Sequence, residues 1–380
     1  MSNETAANAP DARAATVKEH ASIISPVMDF LLVGGVSVFI IPFVMLPVWE
    51  VEENSRWLHF AAYCLIFVLN LPHFIHSYQL LYRGYIKKLT GDVYQKPTKI
   101  RMVISGMIAP AFLIAFLVYA AMQDSSRMLG YATNLMLFTL GWHYVKQGYG
   151  IMIALSVRKK VFFSTLEKHL LLANAYITWL YSWFVLNTYE NSDAFHGIPY
   201  STVGLPAEWR EPSLILYTIW TIGAAAILLR KFDAHDRLCF NGLAAYFFSV
   251  YPWVLLAFAH PNIIIFVPAL HSLQYILCVW KLVYERTKDE LAQAGKRAQE
   301  ITGKMVIRNM VPFLTIGFGA GALFFVMLPL WLDNVVPYDK DIFGPSLFVY
   351  CFLIFLNIHH YFIDFSIWRR DNPEMQYLFK

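Results

Sequence analysis

Residues 344–368 read GPSLFVYCFLIFLNIHHYFIDFSIW. The stretch is long enough to cross the hydrocarbon core of a bilayer, which requires about 20 mostly apolar residues. Two adjacent histidines and one aspartate stand among its aromatic and aliphatic residues. Because ionisable groups are costly inside a membrane, they mark functional positions there. The stretch therefore predicts a membrane helix that carries part of a functional site.

The rest of the chain has a similar composition. Of its 380 residues, 58% are apolar and 15% are charged, whereas soluble domains have about 25% charged residues. The mean hydropathy is +0.47. These values exclude a water-soluble globule, a disordered chain, collagen and a nucleic-acid-binding protein. Because backbone polar groups must be satisfied within the lipid, the predicted fold is all-α, a polytopic transmembrane helical bundle.

Ten spans are predicted from the apolar runs. They cover about 28–49, 57–80, 103–122, 131–155, 167–187, 213–230, 240–258, 261–284, 309–332 and 344–368. Residues 1–27 are expected to form a disordered cytoplasmic tail, 28–370 a single transmembrane domain, and 371–380 a cytoplasmic C-terminal tail.

The basic residues predict how the protein is oriented in the membrane, and the cysteines bear on disulfide and metal binding. With the N-terminus inside, 25 basic residues lie in inner segments and 4 lie outside, and Lys146 falls within a span. The positive-inside rule therefore predicts that both termini face the cytoplasm. The four cysteines show no paired spacing, which predicts neither a disulfide framework nor a thiolate metal site.

The two ends of the chain resemble each other. FVMLPVW at 43–49 recurs as FVMLPLW at 325–331, and Asn70 and His73 recur, at a constant offset of 287, as Asn357 and His360. A weaker parallel relates His143 and Gln147 to His271 and Gln274. The pattern predicts an internal repeat in which helices 1 and 2 resemble helices 9 and 10.

Six histidines form the candidate site. Counted from the basic residues at the inner edge, five of them lie about 10–15 Å from the inner surface, and His143 lies about two turns deeper. An intramembrane histidine is a functional candidate by default. The predicted metal ligands are His73, His76, His143, His271, His359 and His360.

Helix geometry suggests how these side chains are arranged. His73 and His76 share a helix face, so both can reach one centre. His359 and His360 diverge by about 100°, which predicts different partners: two metal ions, or one ion and one hydrogen bond. Asp364 is placed to accept the distal N–H of His360. The residues expected to support the ligands are Asp364, Gln147, Gln274, Asn70 and Asn357. Lys146 must be neutral or paired, and Asp364 is a possible partner.

The ligand types narrow the chemistry. The chain has no HExxH motif and no glutamate beside these histidines, which argues against a zinc hydrolase or a ferritin-like di-iron bundle. Imidazole suits iron, copper and zinc. We therefore expect one or two iron ions, with copper and zinc left open, and we assign no catalytic side chain.

The motifs HFIH at 73–76 and NIHHYFID at 357–364, with His143 and His271, resemble the histidine-rich membrane non-haem iron enzymes. These are the fatty-acid desaturase and alkane or lipid hydroxylase group and, more loosely, the membrane carotenoid-cleaving dioxygenases. The HxxxH and HxxHH boxes of desaturases are incomplete here. The resemblance implies an iron-dependent oxidoreductase of lipid metabolism that uses O₂ for desaturation, hydroxylation or oxidative cleavage.

Two other functions use the same histidines. A membrane cytochrome would bind b-type haem through facing histidines, and a transporter built from the repeat would bind substrate or protons. For the oxygenase, the expected partners are a lipid-like substrate from the bilayer, O₂ and a cytoplasmic electron donor, without nucleic acid.

Overall fold

The computed structural model describes residues 22–188, 194–233, 240–252 and 265–379. Within these ranges the chain is helical apart from one short hairpin, in which Ala194–Phe195 pairs with Ile198–Pro199. The predicted all-α class is therefore confirmed. The histidines at 20, 235 and 260 lie outside the described residues.

Thirteen helices are numbered within these ranges. They are α1 Pro26–Gly35, α2 Ser37–Val44, α3 Glu52–Tyr82, α4 Tyr85–Thr90, α5 Lys96–Met122, α6 Ser126–Arg158, α7 Thr165–Leu186, α8 Arg210–Asp233, α9 Phe240–Val250, α10 Val267–Gln293, α11 Gly303–Val335, α12 Lys340–Phe343 and α13 Leu347–Ile367. Short 3-10 turns occupy Pro47–Glu50, Ala207–Trp209, Ala298–Glu300 and Pro373–Phe379.

Five helical segments in the described ranges are long and apolar enough to cross a membrane: α3, α5, α11, α13 and Ala207–Lys231. Helices α1 and α2 meet at a bend of 40° and make a sixth if they are taken as one span. The prediction of ten spans is therefore not confirmed. Helices α6, α7 and α10 are long, with 33, 22 and 27 residues, but do not belong to this apolar set.

Both ends of the described chain pack onto the bundle. Ser22 and Ile23 are buried although the sequence places them in the tail, and the Asp29 carboxylate accepts the Ile23 amide at 2.5 Å. Arg158 donates to the carbonyls of Ser22 at 2.8 Å and Leu378 at 2.9 Å. One guanidinium thus ties the two ends together.

The centre of the bundle is formed by four helices. Helix α13 packs against α3 and α6, and α10 packs against α3. Helix α6 also lies very close to α9, because Gly148 has no side chain: a Cβ there would come within 2.7 Å of the Ala245 carbonyl oxygen. The four central helices bring distant parts of the sequence to one buried region.

The two predicted repeat segments differ in local structure. Residues 43–49 cover the end of α2 and a 3-10 turn that starts at Pro47. Residues 325–331 lie inside α11, where a π turn over Leu323–Met327 precedes Pro329. The internal repeat is therefore not confirmed, although α3 and α13 are both continuous helices that place a histidine at the centre.

Candidate metal centre

A group of ligand side chains lies in the buried region where α3, α6 and α13 meet. It consists of His73, His143, His360 and Asp364, whose ligand atoms all lie within 4.8 Å of one another. The Asp364 Oδ2 atom is 3.4 Å from His360 Nε2 and 3.6 Å from His143 Nε2. Around an ion with bonds of about 2.1 Å, ligand atoms are about 3.0–3.5 Å apart when adjacent and about 4.2 Å when opposite. The separations of 3.4 and 3.6 Å fit adjacent ligands of one ion, and pairs as far apart as 4.8 Å need a small inward shift of the side chains.

His271 of α10 adds a fifth side chain to this group. Its Nε2 lies 3.1 Å from His143 Nε2, and its ring centroid is 5.2 Å from that of His73. At this distance the two nitrogens could share a proton or face the same ion. All five side chains are buried, so an ion held by them would be shielded from solvent.

Several ligand atoms have no other role in the structure. Among the described residues, His73 Nε2, His360 Nε2 and Asp364 Oδ2 are buried and have no hydrogen-bond partner. Buried polar atoms are normally paired, because an unpaired one costs free energy. A metal ion bound between these three atoms would give each of them a partner.

Two serine hydroxyls set the tautomers of the opposing histidines. The Ser77 hydroxyl donates to the Phe74 carbonyl at 2.7 Å and contacts His360 Nδ1 at 2.7 Å. Its one proton is used, so His360 Nδ1 must donate to it and Nε2 keeps the lone pair. Ser272 makes the same arrangement with His73 Nδ1 at 2.8 Å and Asn70 Oδ1 at 2.7 Å. Both histidines therefore present a ligand nitrogen to the centre.

Three buried tyrosines surround the imidazoles. The Tyr144 ring stacks on His271 with centroids 3.7 Å apart, and Tyr361 stacks on His143 at 4.8 Å. Tyr275 packs 4.2 Å from His73, and its hydroxyl donates to Asp364 Oδ1 at 3.0 Å. That bond occupies one carboxylate oxygen and leaves Oδ2 for the centre. The tyrosines therefore fix the ligand rings and cover them with apolar surface.

Two of the six predicted histidines lie outside this group. His359 is held by two hydrogen bonds: it accepts from the Tyr78 hydroxyl at 2.8 Å and donates to the Ser105 carbonyl at 2.8 Å. Of the two arrangements expected for His359 and His360, the one in which one histidine binds an ion and the other is hydrogen-bonded agrees with these contacts of His359. His76 donates to Gln79 at 2.8 Å and stacks on Phe313 of α11. The structure does not bring His76 into the group with His73: its Nε2 is buried without a partner among the described residues, on the side of α3 against which α11 packs.

The polar residues expected to support the ligands have separate positions. Asn70 accepts from Ser272 behind His73, whereas Asn357 accepts from the Tyr361 hydroxyl at 3.0 Å. Gln147 donates to the His271 carbonyl and to Gln274, both at 3.2 Å. Gln274 in turn donates to the Val33 carbonyl at 2.5 Å. These amides brace the helices rather than contacting the ligand nitrogens.

Asp364 has a more direct position than the sequence predicts. We expected it to accept the distal N–H of His360, but that nitrogen, Nδ1, bonds Ser77. Asp364 instead directs Oδ2 toward the ligand nitrogens. Sequence reasoning also missed Ser77, Ser272 and Tyr275. Ser77 and Tyr275 each follow a ligand histidine by four residues, a spacing that places them on the same helix face.

Replacing Ser77 by alanine should lower the metal affinity about 10–100-fold, the usual effect of losing a residue that orients a metal ligand. The change removes the hydroxyl that fixes the His360 tautomer. Isothermal titration of the apo protein with Fe²⁺ measures it. Ser105→Ala is the matched control, because that hydroxyl bonds only the Arg101 carbonyl at 2.8 Å in the described structure. Equal affinities for wild type and Ser77→Ala would contradict the assignment.

Fold and site together define an all-helical protein with five helices that could cross a membrane and a buried histidine and aspartate group that could hold a metal ion. The chain matches no family model, no curated protein and no solved structure.

Proposed function

We propose that the protein is an integral-membrane, metal-dependent oxidoreductase that binds iron and uses O₂ to oxidise a lipid-like substrate. The observation that carries the proposal is the convergence of four buried ligand side chains from three helices, three of whose ligand atoms, on α3 and α13, have no hydrogen-bond partner among the described residues. The proposed ligands are His73, His143, His271, His360 and Asp364.

The ligand set favours iron over the other metals. Imidazoles combined with one carboxylate are typical of non-haem Fe(II) oxygenases. Five protein ligands would leave one position of an octahedral ion for O₂ or substrate. One ion is proposed rather than two, because both ring nitrogens of His359 are hydrogen-bonded and His76 lies against Phe313, outside the group of converging ligand atoms. Copper and zinc remain alternatives that elemental analysis distinguishes.

Each partner has a definite role in the proposed reaction. Bound iron supplies the activation of O₂, and the surrounding tyrosine rings keep water away from the reacting atoms. Hydroxylation or desaturation also requires two electrons, which we assign to a cytoplasmic donor. Oxidative cleavage of a C=C bond by both atoms of O₂ requires no donor. The proposed substrate enters from the bilayer, and the exposed apolar side chains of the candidate spans support this route.

The packing of the rings supports a non-haem site over the cytochrome alternative. The His73 ring lies 4.5 Å from His360, and His143 lies 4.8 Å from His271, measured between centroids. A porphyrin between facing histidines would have to push these rings apart. A functional assay distinguishes the transporter alternative. Transport that depends on the histidines alone would continue after iron is removed by a chelator.

We also propose the finer architecture: ten spans, both termini in the cytoplasm, and a duplicated pair of helices. The pairing of equivalent residues supports the duplication, since His73 contacts His360 and His143 contacts His271. The amides of Gln147 and Gln274 are likewise hydrogen-bonded to each other. Accessibility of single engineered cysteines in sealed vesicles tests the ten spans and the orientation.

Purified protein should contain about one iron per chain without a Soret band, and should consume O₂ in the presence of membrane lipid and a reductant. Elemental analysis, the absorption spectrum and an oxygen electrode measure these properties. Removing iron with a chelator should abolish the oxygen consumption, and Fe²⁺ should restore it. A Soret band would favour the cytochrome, and solute flux that survives chelation would favour the transporter.

A further inference from the structure

The amine of Lys146 lies within α6 in an unusual environment. The sequence suggested Asp364 as its partner, but Asp364 faces the imidazoles and Tyr275. The Lys146 Nζ atom lies 4.6 Å from the Trp142 ring centroid and 4.9 Å from that of Phe365. It forms no ion pair with any described carboxylate.

A second cation lies against the same phenylalanine. Arg369, just after α13, has its Cζ atom 4.2 Å from the Phe365 centroid, and its Nε donates to the Phe365 carbonyl at 3.1 Å. In the part of the chain that the structure describes, it too has no carboxylate partner. The nearby Asp371 bonds Arg101 and Thr98, and the bond from Arg101 lowers the pKa of Asp371.

Five other buried or partly buried cations each contact a carboxylate: Lys88, Arg101, Lys231, Lys281 and Arg286. Arg158 instead donates to two backbone carbonyls. Lys146 and Arg369 have only aromatic rings and a backbone carbonyl in the described structure. A cation–π contact is a weak substitute for a counter-charge, and an uncompensated cation in a span is costly. The pair therefore has no carboxylate within ion-pair distance among the described residues, and Asp371, which attracts Arg369 from farther away, is bonded to Arg101.

We propose that Lys146 and Arg369, with Trp142 and Phe365, bind the anionic head group of an amphiphile whose chain lies along α6 and α13. The head group would be a carboxylate or a phosphate, which both cations recognise by charge-assisted hydrogen bonds. Basic pockets between membrane helices are suited to anionic lipid head groups. All four side chains are partly exposed, so a ligand from the bilayer can reach them.

This position bears on the substrate of the proposed oxidoreductase. Lys146 follows His143 by three residues, and Phe365 follows Asp364 directly. The two cations therefore lie about 5–8 Å along the helices from the metal group, since Lys146 is three residues from His143 and Arg369 is five residues from Asp364. We infer that the substrate is an anionic amphiphile anchored here. That step rests on the proposed function, whereas head-group binding itself does not.

Two probes distinguish the sources of the anion. Full-length protein in phosphatidylcholine nanodiscs is titrated with spin-labelled stearate, which has a carboxylate, and with spin-labelled phosphatidic acid, which has a phosphate. We expect at least one probe to bind. Lys146→Met and Arg369→Gln should each weaken that binding about tenfold or more, the effect of losing one charge-assisted hydrogen bond. Lys146→Arg should retain it.

The matched control is Arg370→Gln, which removes the same charge from an exposed neighbouring residue and should leave binding unchanged. Iron content, measured in parallel, should be the same in all variants. Wild-type affinity in both Lys146→Met and Arg369→Gln, or an equal loss in Arg370→Gln, would overturn the proposal. If the wild-type protein contains no iron, and Lys146→Met and Arg369→Gln still weaken probe binding, the head-group site is supported and the proposed oxidoreductase function is rejected.

Discussion

Replacing His360 by alanine should leave the purified protein with less than about a tenth of the wild-type iron, and His73→Ala should do the same. The binding free energy of a four-ligand zinc site is about 10–16 kcal/mol, so one ligand contributes about 3 kcal/mol, or about a hundredfold in affinity. Both side chains are fully buried and have Nε2 atoms without a partner among the described residues. Elemental analysis after dialysis against a weak chelator measures the loss.

The adjacent histidines provide matched controls. His359→Gln and His76→Gln should keep the iron, because both wild-type side chains bond other groups and lie outside the ligand set. Both are also buried, so damage to packing affects controls and ligand variants alike. Thermal unfolding of His360→Ala should match that of wild-type apo protein. Full iron content and activity in both His360→Ala and His73→Ala would show that the site assignment is wrong.

The sequence predicts the helical class, and five described helical segments are long and apolar enough to cross a membrane, because both properties follow from composition and from long apolar runs. The ten predicted spans are not confirmed, since five helical segments of the described residues are candidate spans by length and apolar composition. Helix α6 carries Asn134, His143 and Gln147, and α10 carries His271 and Gln274. The amides of Asn134, Gln147 and Gln274 are hydrogen-bonded inside the bundle, and the Nε2 atoms of His143 and His271 face each other there. The polarity of such helices reflects burial among other helices, which a single sequence does not reveal.

The sequence predicts the candidate ligands less completely than the fold. Which face of a helix points to the centre depends on the helices packed around it, and a single sequence does not give that packing. His73 and His76 are on one side of α3, but α11 packs against His76 and α13 lies beside His73. The separation of His359 from His360 follows directly from the 100° turn per residue. The serine contacts were missed because they join helices distant in sequence: Ser272 and His73 are 199 residues apart.

Asp364→Asn should weaken iron binding by about two to three orders of magnitude. Asp364 is the only carboxylate of the ligand group in the described residues, so it supplies the one negative charge that faces a divalent ion in a buried site. Removing one partner of a buried charge pair costs about 3–5 kcal/mol, which corresponds to about a hundredfold or more in affinity. Isothermal titration of apo protein with Fe²⁺ measures the change.

Two further variants separate the charge of Asp364 from its hydrogen bonding. Asp364→Glu keeps the charge and should retain more affinity than Asp364→Asn, whereas Tyr275→Phe removes only the 3.0 Å bond to Oδ1 and should cost less than tenfold. If Asp364 merely oriented His360, Asp364→Asn would lose no more than about 10–100-fold, as an outer-shell partner does, and Asp364→Glu would be no better. If Asp364 is a direct ligand, Asp364→Asn should lose more affinity than that and Asp364→Glu should retain more than Asp364→Asn, because the Oδ2 charge would act directly on the ion.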